Sequence, residues 1–208
     1  MNRSAALLTL VVIAAPGLFA DTVYSTFGPG NSFVSNAAWK VGDVFDAQIA
    51  ASFVPGRDFT LQAIDIEAFV SSGSGDLTVA LSAGPSSPGT PLESFDLTGV
   101  ASSPTFLTMD SALHPVLTAG TTYWIVLSAS AGTAAGWNQN DQGFVGLSSR
   151  QGGGPWVSLG TELSTPAFDV LGAPAGAVPE PSGAILLASA FLAQAAALAY
   201  RRSRPHKR

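Results

Sequence analysis

The chain contains no cysteine. That excludes disulfide staples, a thiol nucleophile, an iron–sulfur cluster and a cysteine-ligated zinc site. Histidine is almost as scarce. Only His114 lies in the body of the chain, His206 being in the last few residues. A Ser-His-Asp device would have to use His114, which precedes Pro115 in an expected exposed loop. No nucleophile-elbow pattern, phosphate loop or dinucleotide fingerprint occurs. Positive charge is sparse as well. Between Asp21 and Ala177 only Lys40, Arg57 and Arg150 are basic, against thirteen acidic residues, which leaves that stretch near −10. Such a charge repels nucleic acid and anionic surfaces. Helical periodicity of useful length is missing between the two ends.

The two ends hold the long apolar runs. Arg3 precedes Ala5–Ala15, followed by Pro16-Gly17 and Leu18-Phe19-Ala20. This order predicts a secretory signal peptide over residues 1–20, cut by signal peptidase after Ala20. At the other end stand Val178, Pro179, Glu180, Pro181 and Ser182, then the apolar run Ala184–Tyr200. The chain closes on a basic stop of Arg201, Arg202, Arg204, Lys207 and Arg208. As a helix, residues 184–200 would be roughly 25 Å long, at the short end for a bilayer. Snorkelling arginines extend that reach, and the basic residues stay cytoplasmic under the positive-inside rule. Pro179 and Pro181 set the upstream limit of the helix. The expected layout is therefore signal peptide 1–20, exported domain 21–172, linker 173–183, membrane helix 184–200 and basic tail 201–208.

The exported part reads as all-β. Short alternating runs predict strands at Ala47–Val54, Phe59–Val70, Asp76–Ala83, Ser94–Leu97, Thr105–Met109, Thr122–Ala129, Gly143–Leu147, Trp156–Leu159 and Ala167–Leu171. Thr22–Ser25 and Ala38–Val41 are expected as short edge pieces. Within Phe59–Val70 the apolar positions change parity at Ala63-Ile64, so a β-bulge is expected there, with Asp65 and Glu67 turned to solvent. Thr122–Ala129 is apolar on both faces and is expected to be central, with Trp124 in the core. Dense Gly/Pro/Ser punctuation separates these runs. The predicted fold is an antiparallel two-sheet sandwich of jelly-roll type.

Two resemblances sharpen this reading. Val178-Pro179-Glu180-Pro181-Ser182, the apolar span and the basic cluster resemble the PEP-CTERM sorting signal of Gram-negative bacteria. That resemblance implies recognition and removal of the tail by an exosortase-like enzyme. The span here is Ala-rich rather than Gly/Leu-rich, and the basic tail is longer and interrupted by Ser203, Pro205 and His206. The second resemblance rests on Phe53, Phe59-Thr60-Leu61, Leu77-Thr78-Val79-Ala80-Leu81, Leu117–Leu127 and Gly136-Trp137. Over Ala47–Leu171 these segments look like a choice-of-anchor extracellular domain. It implies a β-sandwich and surface export, and it has no catalytic residues to carry over.

Several side chains are candidates for chemistry. Asp65 and Glu67 share a face at a spacing that a glycosidase pair needs, but alternating acids on an exposed strand are ordinary. Asp43 with Asp46, or Asp141 with Asn138 and Asn140, offer oxygen ligands for calcium without the spacing of a known loop. Trp137 with Asn138, Gln139 and Asn140, together with Trp156, suits stacking and hydrogen bonding to a sugar ring. The alternative is that both tryptophans plug the ends of the sandwich. The sequence therefore predicts a non-enzymatic exported protein without cofactor. It passes through the inner membrane to the cell envelope or extracellular matrix. Its expected partners are signal peptidase, the sorting enzyme, the membrane at residues 184–200 and exopolysaccharide, with nucleic acid excluded.

Overall fold

The chain between residues 20 and 175, apart from 147 and 153, is described by a computed structural model. Residues 1–19 of the expected signal peptide, the motif Val178–Ser182, the span 184–200 and the basic tail lie outside the described residues. Among the described residues no helix is long and apolar enough to cross a membrane.

Apolar residues alternating with Ser, Thr and Gly build strands almost throughout. These are β1 Asp21–Ser25, β2 Val34–Val41, β3 Gln48–Phe53, β4 Phe59–Ser72, β5 Leu77–Ala83, β6 Pro91–Leu97 and β7 Thr105–Asp110. They continue with β8 Val116–Leu117, β9 Tyr123–Ala129, β10 Ala134–Gln139, β11 Ser148–Gln151, β12 Val157–Ser158 and β13 Phe168–Pro174. A single turn of 3-10 helix, Asp43–Phe45, interrupts them. Every pairing is antiparallel, in two sheets.

The first sheet runs β1-β13-β4-β10-β2, with β7 and β8 also on β4. Strand β4 is fourteen residues long, and this length lets it organise the sheet. Ile66 pairs with Phe168 of β13 and with Leu107 of β7, so those two strands take opposite flanks. Ala68 pairs with Trp137 of β10 and with Thr105 of β7. Strands β13 and β10 therefore share one flank of β4, end to end. The second sheet runs β12-β11-β3-β9-β5-β6.

One apolar cluster takes side chains from both sheets, including Leu61, Ile64, Ile66, Trp137 and Phe168 from the first and Ile49, Phe53, Val79, Ile125 and Leu127 from the second. An aromatic series crosses between them. Trp137 and Phe168 have centroids 6.1 Å apart, Phe168 and Tyr24 5.5 Å, Tyr24 and Phe53 5.7 Å, and Phe53 and Tyr123 5.7 Å. Each such buried side chain stabilises the fold by about 1.5–3 kcal/mol, and the core stands in for the missing disulfides.

The face switch in β4 is present. Leu171 pairs with Ala63 but Gly172 pairs with Leu61, so Gln62 is the extra residue. Leu61 before it and Ile64, Ile66, Ala68 and Val70 after it all reach the core. Strand β9 is central, between β3 and β5, with Tyr123, Ile125 and Leu127 inward and Trp124 and Val126 outward. Three expectations need correction. The strand expected over Gly143–Leu147 is reduced to a single bridge between Val145 and Ser164. Trp137, where no strand was expected, lies in β10. Gly136 beside it has the Phe69 ring 2.5 Å from where a Cβ would stand, so the gap in the strand's side chains is filled by its neighbour. Asp65 and Glu67 are buried instead of facing solvent. Phe106 stands opposite Glu67 across the β4–β7 pair, and the Phe27 ring packs on Phe106 at 5.3 Å. The segment that leaves β1 thus roofs the outer face of the first sheet.

Candidate functional site

The outer face of the second sheet carries the candidate site. Its floor follows from register. Val126 of β9 pairs with Ala80 of β5 and with Ala50 of β3, which gives a row of small apolar side chains. On one side Thr78 pairs with Ser128, placing two hydroxyls next along the same face. On the other side stands Trp124, fully buried, whose Nε1–H donates to the Gly84 carbonyl at 2.8 Å. Half-buried Trp156, from the segment joining β11 to β12, packs against the Ala50–Trp124–Val126 patch.

Val126, Ala80, Thr78, Ser128 and Trp156 border a groove of about 290 Å³. Polar groups from five strands, Ser128 of β9 among them, and the Trp156 indole converge on it. Gln48 enters from β3, Gln151 from β11, Thr78 from β5 and Ser94 from β6. The Gln151 Nε2 donates to the Gly154 carbonyl at 2.8 Å, which braces the turn leading to Trp156. The Thr78 hydroxyl donates to Asp96 Oδ1 at 3.0 Å. Among the described residues, the side chains of Gln48 and Ser94 make no hydrogen bond and no charged side chain lines the groove. Sequence reasoning singled out Trp156 but none of these polar partners. Their signal is the polar and small outward set of two strands, Thr78-Ala80-Ser82 and Val126-Ser128, on a sheet whose other face is large and apolar.

Of the five residues expected at a sugar site, Trp156 alone lines this groove. Trp137 is in the core, and its Nε1–H donates to the Ala167 carbonyl at 3.0 Å. Asn138 is buried, with Nδ2 donating to the Val34 carbonyl. Asn140 organises a loop. Its Nδ2 donates to the carbonyls of Thr165 and Phe144, and its Oδ1 accepts from the backbone N–H of Gln142 and Phe144. The structure does not bring these three together with Trp156. Among the described residues no three His, Asp or Glu side chains converge as metal ligands.

The two acidic regions behave differently. On the first sheet Asp65 pairs with Asp169, and Glu67 lies two residues along β4. Burial pushes all three carboxyls up, Glu67 to about 7. Neither Glu67 oxygen finds a partner among the described residues. Pairs on one face with raised proton affinity suit a catalytic acid, but these carboxyls lie under a roof rather than in a cleft.

Glu93 shows the opposite balance. Its burial pushes the carboxyl up, but hydrogen bonds from Ser111, Leu113 and Ala112, with His114 nearby, outweigh this and hold it below its ordinary value of 4.5. The Ser111 hydroxyl donates to Glu93 at 2.6 Å and accepts the His114 backbone N–H at 2.9 Å. The His114 ring meets the Leu61 carbonyl through Nδ1 at 3.0 Å. Serine and histidine side chains are thus both engaged, but not with each other, as a triad requires. Glu93 instead ties β6 of the second sheet to the loop that follows β7 of the first. Glu93→Ala is expected to destabilise the fold by about 2 kcal/mol, since three donors lose a charged acceptor. Urea unfolding at neutral pH measures it. Because the folded carboxyl holds its proton less tightly than the unfolded one, the stabilisation is full above the unfolded value and fades as pH falls through the folded one.

The chain matches no protein-family model, no curated protein and no solved structure.

Proposed function

We propose that the chain is an exported, non-enzymatic surface or matrix protein, sorted through its C-terminal tail. Its two sheets would form a jelly-roll-like sandwich of the choice-of-anchor kind. The observation that carries this reading is the ordered triple of Val178-Pro179-Glu180-Pro181-Ser182, the apolar run 184–200 and the cluster Arg201, Arg202, Arg204, Lys207 and Arg208. The compact unit over Ala20–Gly176 supports it, since its limits lie beside the expected signal-peptide cut and within the expected linker. A Pro- and Gly-containing linker would hold the domain a short distance from the membrane until an exosortase-like enzyme acts. The cell envelope or extracellular matrix of a Gram-negative bacterium is the proposed destination.

The test is the intact mass and C-terminal peptide of the protein recovered from its host's envelope and medium. The expected result is a chain starting near Asp21 and ending near the Pro-Glu-Pro turn. A chain still ending at Arg208 in the membrane fraction would overturn sorting and leave a plain single-pass anchor.

A further inference from the structure

We infer that the groove on the second sheet binds a neutral oligosaccharide, with Trp156 as the stacking platform and Gln48, Gln151, Thr78, Ser94 and Ser128 as its hydrogen-bonding wall. The inference rests on the export reading for its setting, since exopolysaccharide lies outside the cell. Its chemistry rests on the groove alone.

Three features select this ligand class. The first is the pairing of an indole with a small apolar floor. A pyranose ring has an apolar C–H face, and that face stacks on an aromatic ring while its hydroxyls point sideways. Trp156 borders the groove together with Val126 and Ala80, so a sugar lying along the groove meets apolar surface from the indole and from the sheet. The second is the choice of polar groups. Carboxamides and hydroxyls both donate and accept, as do sugar hydroxyls. Gln48 and Ser94 have no partner among the described residues, and they lie on β3 and β6, on either side of the β9–β5 pair. The third is charge. The groove lining is neutral in a domain near −10. An acidic polysaccharide would be repelled by the surrounding field and find no cation in the groove to offset it. An extended peptide is a poorer fit. Peptides add to sheets through the backbone groups of an edge strand. Here the floor is central β9 with its neighbours, whose backbone groups are already paired within the sheet.

The experiment uses the full-length chain in a non-glycosidic detergent, because sugar-headed detergents would compete. Wild type and Trp156→Ala are titrated by calorimetry with neutral hexasaccharides of β-1,4-glucose, β-1,4-xylose, α-1,4-glucose and β-1,3-glucose, and with oligogalacturonate. Saturable binding to at least one neutral sugar is expected, weakened roughly tenfold or more in Trp156→Ala, as for loss of a central aromatic anchor. Gln48→Ala, which removes an exposed amide, should weaken the same binding while leaving the unfolding midpoint in place. Absence of binding across the neutral panel overturns the inference. So does preference for oligogalacturonate, or binding unchanged in both variants. The mass of the C-terminus in the native host reads the sorting proposal separately, so either idea can fail while the other stands.

Discussion

Replacing Glu67 with Gln is expected to make the protein more stable than wild type at alkaline pH, by an amount that disappears in acid. Glu67 is fully buried and its carboxyl titrates near 7, against an ordinary value of 4.5. Burial is the cause, because a carboxylate without hydrogen-bond donors loses its hydration and gains nothing in return. In the unfolded chain the group loses its proton near the ordinary value. Between the two values the folded state binds more protons, so stability falls as pH rises across that window. Above the folded value the loss is complete and constant. The difference in unfolding free energy between Glu67→Gln and wild type should grow by about 3 kcal/mol from about pH 4 to about pH 8. Asp65 and Asp169 are raised in the same direction, but they are present in both proteins and largely cancel in the difference. Urea titrations at the two pH values measure it. A difference that stays flat would mean that Glu67 is hydrated or paired in the folded protein.

That carboxyl also marks the limit of what local pattern reveals. Alternation along β4 places Ile64, Ile66 and Ala68 on one face and Asp65 and Glu67 on the other, and the structure keeps this division. What alternation does not contain is the Phe27 segment, about forty residues upstream, packed on Phe106 across the outer face. The same reasoning separates β9 from β10. Strand β9 is legible because large apolar residues occupy both faces and only a central strand can bury both. Strand β10 is Ala-Ala-Gly-Trp-Asn-Gln, and its small and amide residues read as a turn. Only its place between β4 and β2, with Phe69 packed on Gly136, makes it a strand. The groove was legible only at Trp156. Its polar wall is drawn from five strands spread over about a hundred residues, and no local window contains their register.

The two tryptophans that the sequence offers as sugar platforms are expected to separate sharply. Trp137→Ala should cost about 3–5 kcal/mol, since the indole is fully buried among core residues of both sheets. It would also leave the buried Ala167 carbonyl without its indole donor. Trp156→Ala should cost no more than about 1 kcal/mol, because the half-buried ring packs on the small Ala50–Trp124–Val126 cluster rather than in the main core. Guanidinium unfolding of the full-length chain and both variants, followed by far-ultraviolet circular dichroism, measures the pair without relying on tryptophan fluorescence. The comparison bears on function because the two roles make opposite demands. A core plug contributes stability in proportion to the surface it hides, whereas a stacking platform must leave a ring face open and so contributes little until a ligand covers it. If Trp156→Ala proved as damaging as Trp137→Ala, the indole would be closing the end of the fold, and the groove would lose the platform on which sugar binding depends. If Trp156→Ala left stability intact and removed oligosaccharide binding, the exposed face of the second sheet would be the working surface of the domain.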